Sequence, residues 1–405
     1  MENHKADRLL NFSLLLFAAS CLLSISASQA ALGLMLAAIL WKAFTSPEGF
    51  GQPLKELHAN PLVFPVVLYL VPYIFSSIFS LDPKLSFSRL DTELIKALSA
   101  ILLFSAVARA GREKAAGYFL AGASASALLG IWQFASGLLK PLSGELPRAW
   151  GTMHTVSYGE VTGLALVLAA ALLGPAQGRA RKLYAAAFLV LALGFSASLS
   201  RGPALGLFLA LAILFIAQKS SRKYVLIGMA LVVLAFGSAA ALNKANRAKL
   251  ASVTSFLAKD QPAEKMDYAA NVRVTMWRAG VKIFKDYPLT GTGPYSLRRV
   301  FNYYHKLPVD GVINFPDVHN LYLQRAADSG LPGLLALLLL FWAILKSSAA
   351  AFFKHRDPYS LWGLAAFAGF LAMMVTDSSF DLPRTAFVVY LLAALAGPAG
   401  RSTAA

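Results

Sequence analysis

Residues 271–278 have the sequence NVRVTMWR, and they lie within the longest part of the chain that is too polar to cross lipid, residues 243–329. Apolar runs fill most of the sequence on both sides of that part. A helix that spans a bilayer needs about 20 mostly apolar residues. The sequence therefore predicts transmembrane helices over residues 1–242, a large loop outside the membrane over 243–329, and further transmembrane helices over 330–405.

The composition is typical of a membrane protein with many spans. Of the 405 residues, 57% are hydrophobic and 14% are charged, whereas soluble domains have about 25% charged residues. The formal net charge is +17, but most basic residues form short clusters between apolar runs, as they do in membrane proteins, so we expect no nucleic-acid partner. A single cysteine excludes an intramolecular disulfide and a cysteine-based zinc site.

Twelve apolar runs have the length that a spanning helix requires, some of them at the short end of the tolerated range. They predict an all-α polytopic membrane protein with about twelve transmembrane helices and one large loop. The predicted spans are residues 9–26, 28–44, 61–80, 92–109, 115–138, 158–174, 183–199, 201–217, 224–242, 331–349, 359–379 and 384–398.

The short connections predict the orientation, because Lys and Arg are enriched in cytoplasmic connections. Every second connection is basic, near residues 109–114, 179–182, 219–223 and 354–356. Both termini are then cytoplasmic, and residues 243–329 lie on the outer side. That loop has thirteen basic and seven acidic residues, a net charge of +6, which suits either a surface near anionic headgroups or the recognition of phosphate by arginine.

Within the loop, residues 272–284 have the period of an amphipathic helix that ends before Pro288. We expect this helix to lie on the bilayer surface with Trp277 at the level of the headgroups and with Arg273 and Arg278 beside the apolar stripe. The predicted stripe consists of Val274, Trp277, Val281 and Phe284.

A second loop helix is predicted from its end signals. Asp317 is a suitable N-cap, Gly330 a suitable residue just after the last turn, and Pro332 suits the first turn of the next spanning helix. His319 would then lie in the first helical turn, where free N–H groups favour an anionic ligand.

Two residues are the strongest candidates for chemistry. Arg201 stands alone in a tight connection between two apolar runs, where a charge is costly and therefore a functional candidate, although its side chain can also extend to the headgroups. The imidazole of His319 titrates near pH 6.5 when unperturbed, which suits a general base, although a helical histidine can also be only packed.

The remaining clusters are weaker. The outward-facing histidines, 154, 305 and 319, do not have metal-site spacing. Residues 291–293, Gly-Thr-Gly, predict a turn rather than a nucleotide-binding loop. Charged residues also gather at two outer helix ends, where pairing within each cluster is the simplest expectation. These clusters are Arg89, Asp91, Glu93 and Lys96, and Asp377, Asp381 and Arg384.

The arrangement resembles the O-antigen ligase and O-antigen polymerase superfamily of bacterial envelope glycosyltransferases. The resemblance covers the chain from about residue 158 onward. It rests on the family's Ser-Arg-Gly at the start of a mid-chain helix and on its Arg-x-x-x-Trp, Pro-x-x-Gly-x-Gly and His-Asn-x-Tyr-Leu elements. These are matched by Ser200, Arg201 and Gly202, by Arg273 and Trp277, by Pro288, Gly291 and Gly293, and by His319, Asn320, Tyr322 and Leu323. The ligases resemble one another in a His-Asn pair followed by Gly-x-x-Gly, here Gly330 and Gly333.

The resemblance implies a GT-C-like, metal-independent glycosyltransferase of the bacterial inner membrane, with a periplasmic active site and no cofactor. It would move O-antigen from undecaprenyl diphosphate to a sugar hydroxyl of lipid A-core, with inversion. His319 would be the general base, and Arg201 and Arg273 would bind the diphosphate as its negative charge grows. Arg278, Asn320 and Trp277 complete the expected substrate-binding set.

Two alternatives remain open. A polymerase for O-antigen or exopolysaccharide, or a protein O-oligosaccharyltransferase, would use the same donor and the same cations with another acceptor. A transporter would place charged residues near the middle of several spans, whereas nearly all of them lie at predicted helix ends here. Transport is therefore less favoured.

Overall fold

The computed structural model is all-helical, and it confirms the predicted all-α polytopic membrane fold. It describes residues 2–46, 49–139, 146–244, 246–247, 268–304 and 317–397, and no strand occurs in these residues. The predicted loop is therefore described only in part, and His305 lies outside the described residues.

Eleven described α-helices precede the loop, two lie within it, one begins in the loop and continues into the bundle, and two follow the loop. The first eleven are α1 (Glu2–Ser20), α2 (Ile25–Thr45), α3 (Gly51–Ala59), α4 (Val63–Ile78), α5 (Pro83–Phe87), α6 (Leu90–Ala110), α7 (Arg112–Leu138), α8 (Thr155–Leu173), α9 (Gly178–Ala197), α10 (Arg201–Ala217) and α11 (Arg222–Leu242). The others are α12 (Tyr268–Asp286), α13 (Leu297–Tyr304), α14 (Leu321–His355), α15 (Pro358–Met373) and α16 (Pro383–Ala396).

Every predicted span coincides with a helix, but the helices differ in how well each would cross a membrane. Among the described residues, six helical segments are long and apolar enough: α2, α7, α8, α9, α11 with the turn before it, and α14. Helices α4, α10, α15 and α16 are apolar but shorter. Helices α1 and α6 contain charged residues. The number of about twelve spans therefore stays a prediction.

Helix α8 forms the centre of the bundle. Every one of its residues from Ser157 to Leu173 is buried, as expected for a helix that is apolar all round. It packs against α7, α9, α10 and α15, and the indole N–H of Trp362 on α15 donates to the Leu164 carbonyl at 2.8 Å. Helix α10, which begins at Arg201, and helix α15, which precedes Asp377, are therefore held against one buried helix.

Helix α14 has a break that separates a short loop helix from a spanning helix, as the sequence predicts. Gly330 has φ 63° and ψ −166°, values that a residue with a side chain rarely adopts. The N–H of Leu331, freed by the break, donates to the Pro288 carbonyl at 2.7 Å. Pro332 lies in the first turn of the second part, where its missing N–H is not needed.

Residues 288–293 form a turn that includes the one predicted at 291–293, and this turn joins the loop to the bundle. The N–H groups of Thr292 and Gly293 donate to the carbonyls of Ala327 and Asp328 at 2.9 and 3.0 Å. On the other side, the Leu81 N–H after α4 donates to the Thr292 carbonyl at 2.9 Å. The two glycines of the turn have positive φ, so the Pro-x-x-Gly-x-Gly element is explained by backbone geometry.

Helix α12 is amphipathic as predicted, but the predicted stripe was wrong. Val281 of that stripe is 39% exposed, and α12 begins at Tyr268, before the predicted start at 272. Two adjacent stripes of α12 have helical spacing, and the buried one contains the small Ala279, which allows close packing where bulky Trp277 does not. The buried stripe packs with other loop residues into a small hydrophobic core, which we call the loop core. It consists of Val272, Met276, Ala279, Ile283, Leu297, Phe301, Val318 and Ala327.

The connections between helices fall at two ends of the bundle. The basic end contains the connections at residues 110–112, 173–178, 217–222 and 355–358. Arg112 pairs there with Asp357 at 3.1 Å, and the Ser221 hydroxyl donates to the Ala170 carbonyl at 2.8 Å. The opposite end, named the loop end, contains the described loop residues and the connections at 78–83, 197–201 and 373–383.

Candidate functional site

His319 lies directly before α14 at the loop end, in a left-handed conformation with φ 51°. Its N–H donates to Oδ1 of Asp317 at 2.6 Å. The N-cap of α14 is Asn320, whose Oδ1 accepts the Leu323 N–H at 3.0 Å. The prediction that Asp317 caps this helix with His319 in its first turn was therefore wrong. The Asp317 carboxylate is engaged instead by His319 and by the Ser378 hydroxyl.

Asp377 faces the imidazole of His319. Its Oδ1 lies 3.6 Å from Nδ1 of His319, and the two side chains are 14% and 38% exposed. The neighbouring Asp377 carboxylate is the main cause that raises the pKa of His319 above 6.5, and Asp317 raises it further, while burial and Arg273 act in the opposite direction. Because Asp377 faces Nδ1, the other ring nitrogen, Nε2, is the one that could act on a substrate.

The segment that carries Asp377 is fastened to the start of α14. The Leu321 N–H donates to the carbonyls of Met374 and Asp377, both at 3.0 Å. Ser378 donates to Asp317, and burial raises the pKa of Asp317. The sequence indicated Asp377 only as a member of a charged cluster, because no spacing signal relates it to a histidine 58 positions earlier.

Helix α12 brings Arg273 and Trp277 to His319. The Trp277 indole N–H donates to the His319 carbonyl at 3.3 Å, so Trp277 fixes this backbone rather than only anchoring a helix to lipid. Arg273 lies one turn earlier on the same side of α12. Its positive charge is close enough to lower the pKa of His319.

Arg201 approaches the same segment from another direction. It is the first residue of α10, and a Cβ on the following Gly202 would collide with the hydroxyl of Thr376, the residue before Asp377. Arg148 fixes the preceding turn by donating to the Ser198 carbonyl at 2.9 Å and to Ser200 Oγ at 2.8 Å. The start of α10 and His319 therefore border one short segment, residues 374–378.

Two other predicted substrate-binding residues are placed less favourably. Arg278 is exposed, and it lies five residues after Arg273, about 140° further round the helix. Asn320 is buried, and its side-chain oxygen is used as the cap of α14. Their roles in binding stay predictions.

The first charged cluster pairs partly as expected. Glu93 and Lys96 form a buried ion pair at 2.6 Å, each 2% exposed. Arg89 instead lies over the ring of Tyr295, 5.3 Å from its centre. Lys96 also donates to the carbonyls of Phe380 and Asp381 at 3.5 and 3.3 Å, so Lys96 joins α6 to residues 380–381, and Arg89 contacts the loop.

The second cluster does not pair internally in the way the sequence suggested. Asp381 pairs with the buried Arg325, and Arg384 donates to the Thr152 carbonyl at 2.6 Å. With these two groups engaged elsewhere, Asp377 is left to face His319.

No group of three or more His, Cys, Asp or Glu side chains is placed to hold a metal ion in the described part of the chain. The exposed His154 precedes α8.

Residues 185–338 match the family described as O-antigen ligase. The predicted resemblance to this superfamily is confirmed over that range, which includes Arg201, Arg273, Trp277 and His319. Members of the family are membrane glycosyltransferase-like enzymes, and the family implies lipid-linked glycan and lipid-type substrates in general. No curated protein matches the chain.

Proposed function

We propose that this chain, with its O-antigen ligase family region, is itself an O-antigen ligase. It would transfer a glycan from undecaprenyl diphosphate to a sugar hydroxyl of lipid A-core. The observation that carries the proposal is the pair of His319 and Asp377 at 3.6 Å, bordered by the start of α10 with Arg201 and by the charge of Arg273.

The reaction forms one bond and breaks another. The acceptor hydroxyl attacks the anomeric carbon of the glycan, and the bond from that carbon to the diphosphate oxygen breaks, so the configuration inverts. Nε2 of His319 takes the hydroxyl proton, and the carboxylate of Asp377 stabilises the imidazolium that forms. The undecaprenyl diphosphate leaves with the electron pair of the broken bond.

Arginines suit the leaving group. Negative charge grows on the diphosphate as the bond breaks, and fixed cations stabilise that charge. The planar guanidinium also binds two phosphate oxygens at once, which a lysine cannot do. Arg201 and Arg273 therefore supply the stabilisation that a metal ion gives in other transferases, and we expect activity to persist in excess chelator.

The side of the membrane on which the site lies follows from the positions of the basic connections. The basic end faces the cytoplasm with both termini, and the loop end faces the periplasm. The donor lipid would then reach the site from the outer leaflet of the inner membrane, with the loop of residues 243–329 above it.

A deletion strain tests the proposal. Loss of a ligase leaves long carrier-linked polymer and bare lipid A-core, and a plasmid copy of the gene restores capped core. Loss of a polymerase would instead leave core capped by single repeats. Loss of a protein O-oligosaccharyltransferase would leave the core capped normally and remove glycan from proteins. Either of the last two results would contradict the ligase assignment.

A further inference from the structure

Glu160 is a fully buried carboxyl group in the first half of α8, with 0% of its surface exposed. The Ser379 hydroxyl donates to its Oε2. Ser379 lies two residues after Asp377, and the Glu160 and Asp377 carboxyl groups are neighbours that interact electrostatically. A carboxyl group inside an apolar helix is costly, so it is a functional candidate by default.

The second carboxyl oxygen of Glu160, Oε1, is buried and lacks a hydrogen bond from any described residue. If the neighbouring Glu160 and Asp377 carboxylates were both ionised, they would repel each other, and Oε1 of Glu160 would be buried without a hydrogen-bond donor. One proton held between Glu160 and Asp377 removes both problems. Full burial favours the neutral form of Glu160, whereas Asp377 is partly exposed and faces His319.

We propose that Glu160 is a positioning residue: as a neutral acid it donates a hydrogen bond to Asp377 and so holds the carboxylate that orients His319. The inference rests on the proposed function, since it assumes that His319 is the general base. The proton of Glu160 stays on Glu160 throughout, because the proton of the acceptor hydroxyl goes to His319.

Other charged groups border this network. Asp317 faces His319 from the segment before α14, and Arg273 acts on it from α12. Arg148 and Arg201 lie beside the first turn of α8, because a Cβ on Gly159 would contact the side chains of Ser198, Ser200 and Pro203. These groups are the same in every variant at position 160, so a difference between such variants reports on Glu160 itself.

Two substitutions separate positioning from packing. Glu160→Gln keeps a neutral donor of nearly the same size, and we expect its transfer rate to stay within about twofold of wild type with the same midpoint of the pH profile. Glu160→Ala removes the donor, so Asp377 becomes a stronger acceptor and the pKa of His319 rises. We expect its midpoint to move to higher pH and its plateau rate to fall about tenfold.

The matched control is Thr162→Val on the same buried helix. Thr162 lies two residues further on, about 200° round α8 from Glu160. It should leave the pH midpoint unchanged. A Glu160→Ala variant with the wild-type midpoint, or a Glu160→Gln variant whose midpoint falls as it would on loss of a negative charge, would overturn the inference.

A second measurement does not depend on activity. The infrared spectrum of the wild-type protein at neutral pH should contain a carbonyl band of a protonated carboxylic acid that is absent in Glu160→Gln. An unchanged band would contradict a neutral Glu160, even if Glu160→Ala fails to fold. Wild-type transfer by a His319→Ala variant would instead refute the base assignment on which the proposed function depends.

Discussion

The two ends of the bundle both carry many charged residues, but they hold them in different ways. At the basic end, Asp357 pairs with Arg112 at 3.1 Å and also caps α15, accepting the Tyr359 N–H at 3.0 Å. At the loop end, carboxyl groups gather around one histidine instead, and arginines approach from two separate helices. Charges at the basic end form an ion pair and a helix cap, whereas those at the loop end form the candidate site.

The two ends also differ in how many described non-glycine residues have the left-handed backbone conformation, and more of these residues lie at the loop end. Of the described non-glycine residues with positive φ, Leu199, Tyr295 and His319 lie at the loop end. The remaining one, Arg356, is the ordinary left-handed C-cap of α14 at the basic end. Such conformations cost about 1–3 kcal/mol each and persist where the surroundings hold them, as Asp317 holds the N–H of His319.

Substitution of a histidine at each end should give the largest difference in transfer rate between the two ends. His319→Ala should lower the rate of glycan transfer by about 10²- to 10⁴-fold, because it removes the general base. His355→Ala, the same change at the basic end, should leave the rate unchanged. The measurement is a transfer assay with purified protein in lipid nanodiscs. Equal effects of the two substitutions would show that the loop end is not the site.

Substitution of a carboxylate at each end should have a smaller effect on activity, and the direction in which the pH midpoint moves can be predicted. Since Asp377 raises the pKa of His319, and the base must be neutral, wild-type activity should rise with pH through a midpoint above 6.5. Asp377→Ala removes that influence, so the midpoint should move to lower pH, while the plateau rate falls because the ring is less well oriented. Asp357→Ala at the basic end should leave the midpoint in place. A midpoint in Asp377→Ala at or above that of wild type would contradict the pairing.

The smallest effect on the transfer rate is expected for arginine-to-lysine changes at the first residues of the adjacent helices α10 and α11. Arg201→Lys keeps the charge at the start of α10 but loses bidentate binding of phosphate, so transfer should fall about tenfold. Arg222→Lys makes the same change at the start of α11 and should have no effect on transfer. Full activity of Arg201→Lys would mean that only the charge at this position matters.

Most of the fold could be predicted from the sequence, because apolar runs and basic connections directly reflect the bilayer. The break at Gly330 and a turn at residues 291–293 were also predicted, since glycine and proline have local conformational effects. The buried stripe of α12 was not. Which of two neighbouring stripes is buried depends on the shape of its partner, and no local pattern contains that information.

The sequence singled out the cations and the histidine of the candidate site but not the pairing of its carboxylates, and the roles of these residues stay predictions. Arg201 and His319 have unusual local surroundings in the sequence, whereas Asp377 and Glu160 acquire their meaning only from contact with residues far away in the chain. The cap of α14 was misassigned for a related reason. Asp317 and Asn320 are equally good N-caps, and only the tertiary contact of Asp317 with Ser378 decides between them.

The most direct test of the account is the position of bound undecaprenyl diphosphate in the protein reconstituted in nanodiscs, determined by electron cryomicroscopy. We expect diphosphate density at the loop end, bordered by the guanidinium groups of Arg201 and Arg273, with Nε2 of His319 facing the adjoining space for the acceptor. Diphosphate density at the basic end, or at the loop end with Arg201 and His319 on different sides of the bundle from it, would contradict the account.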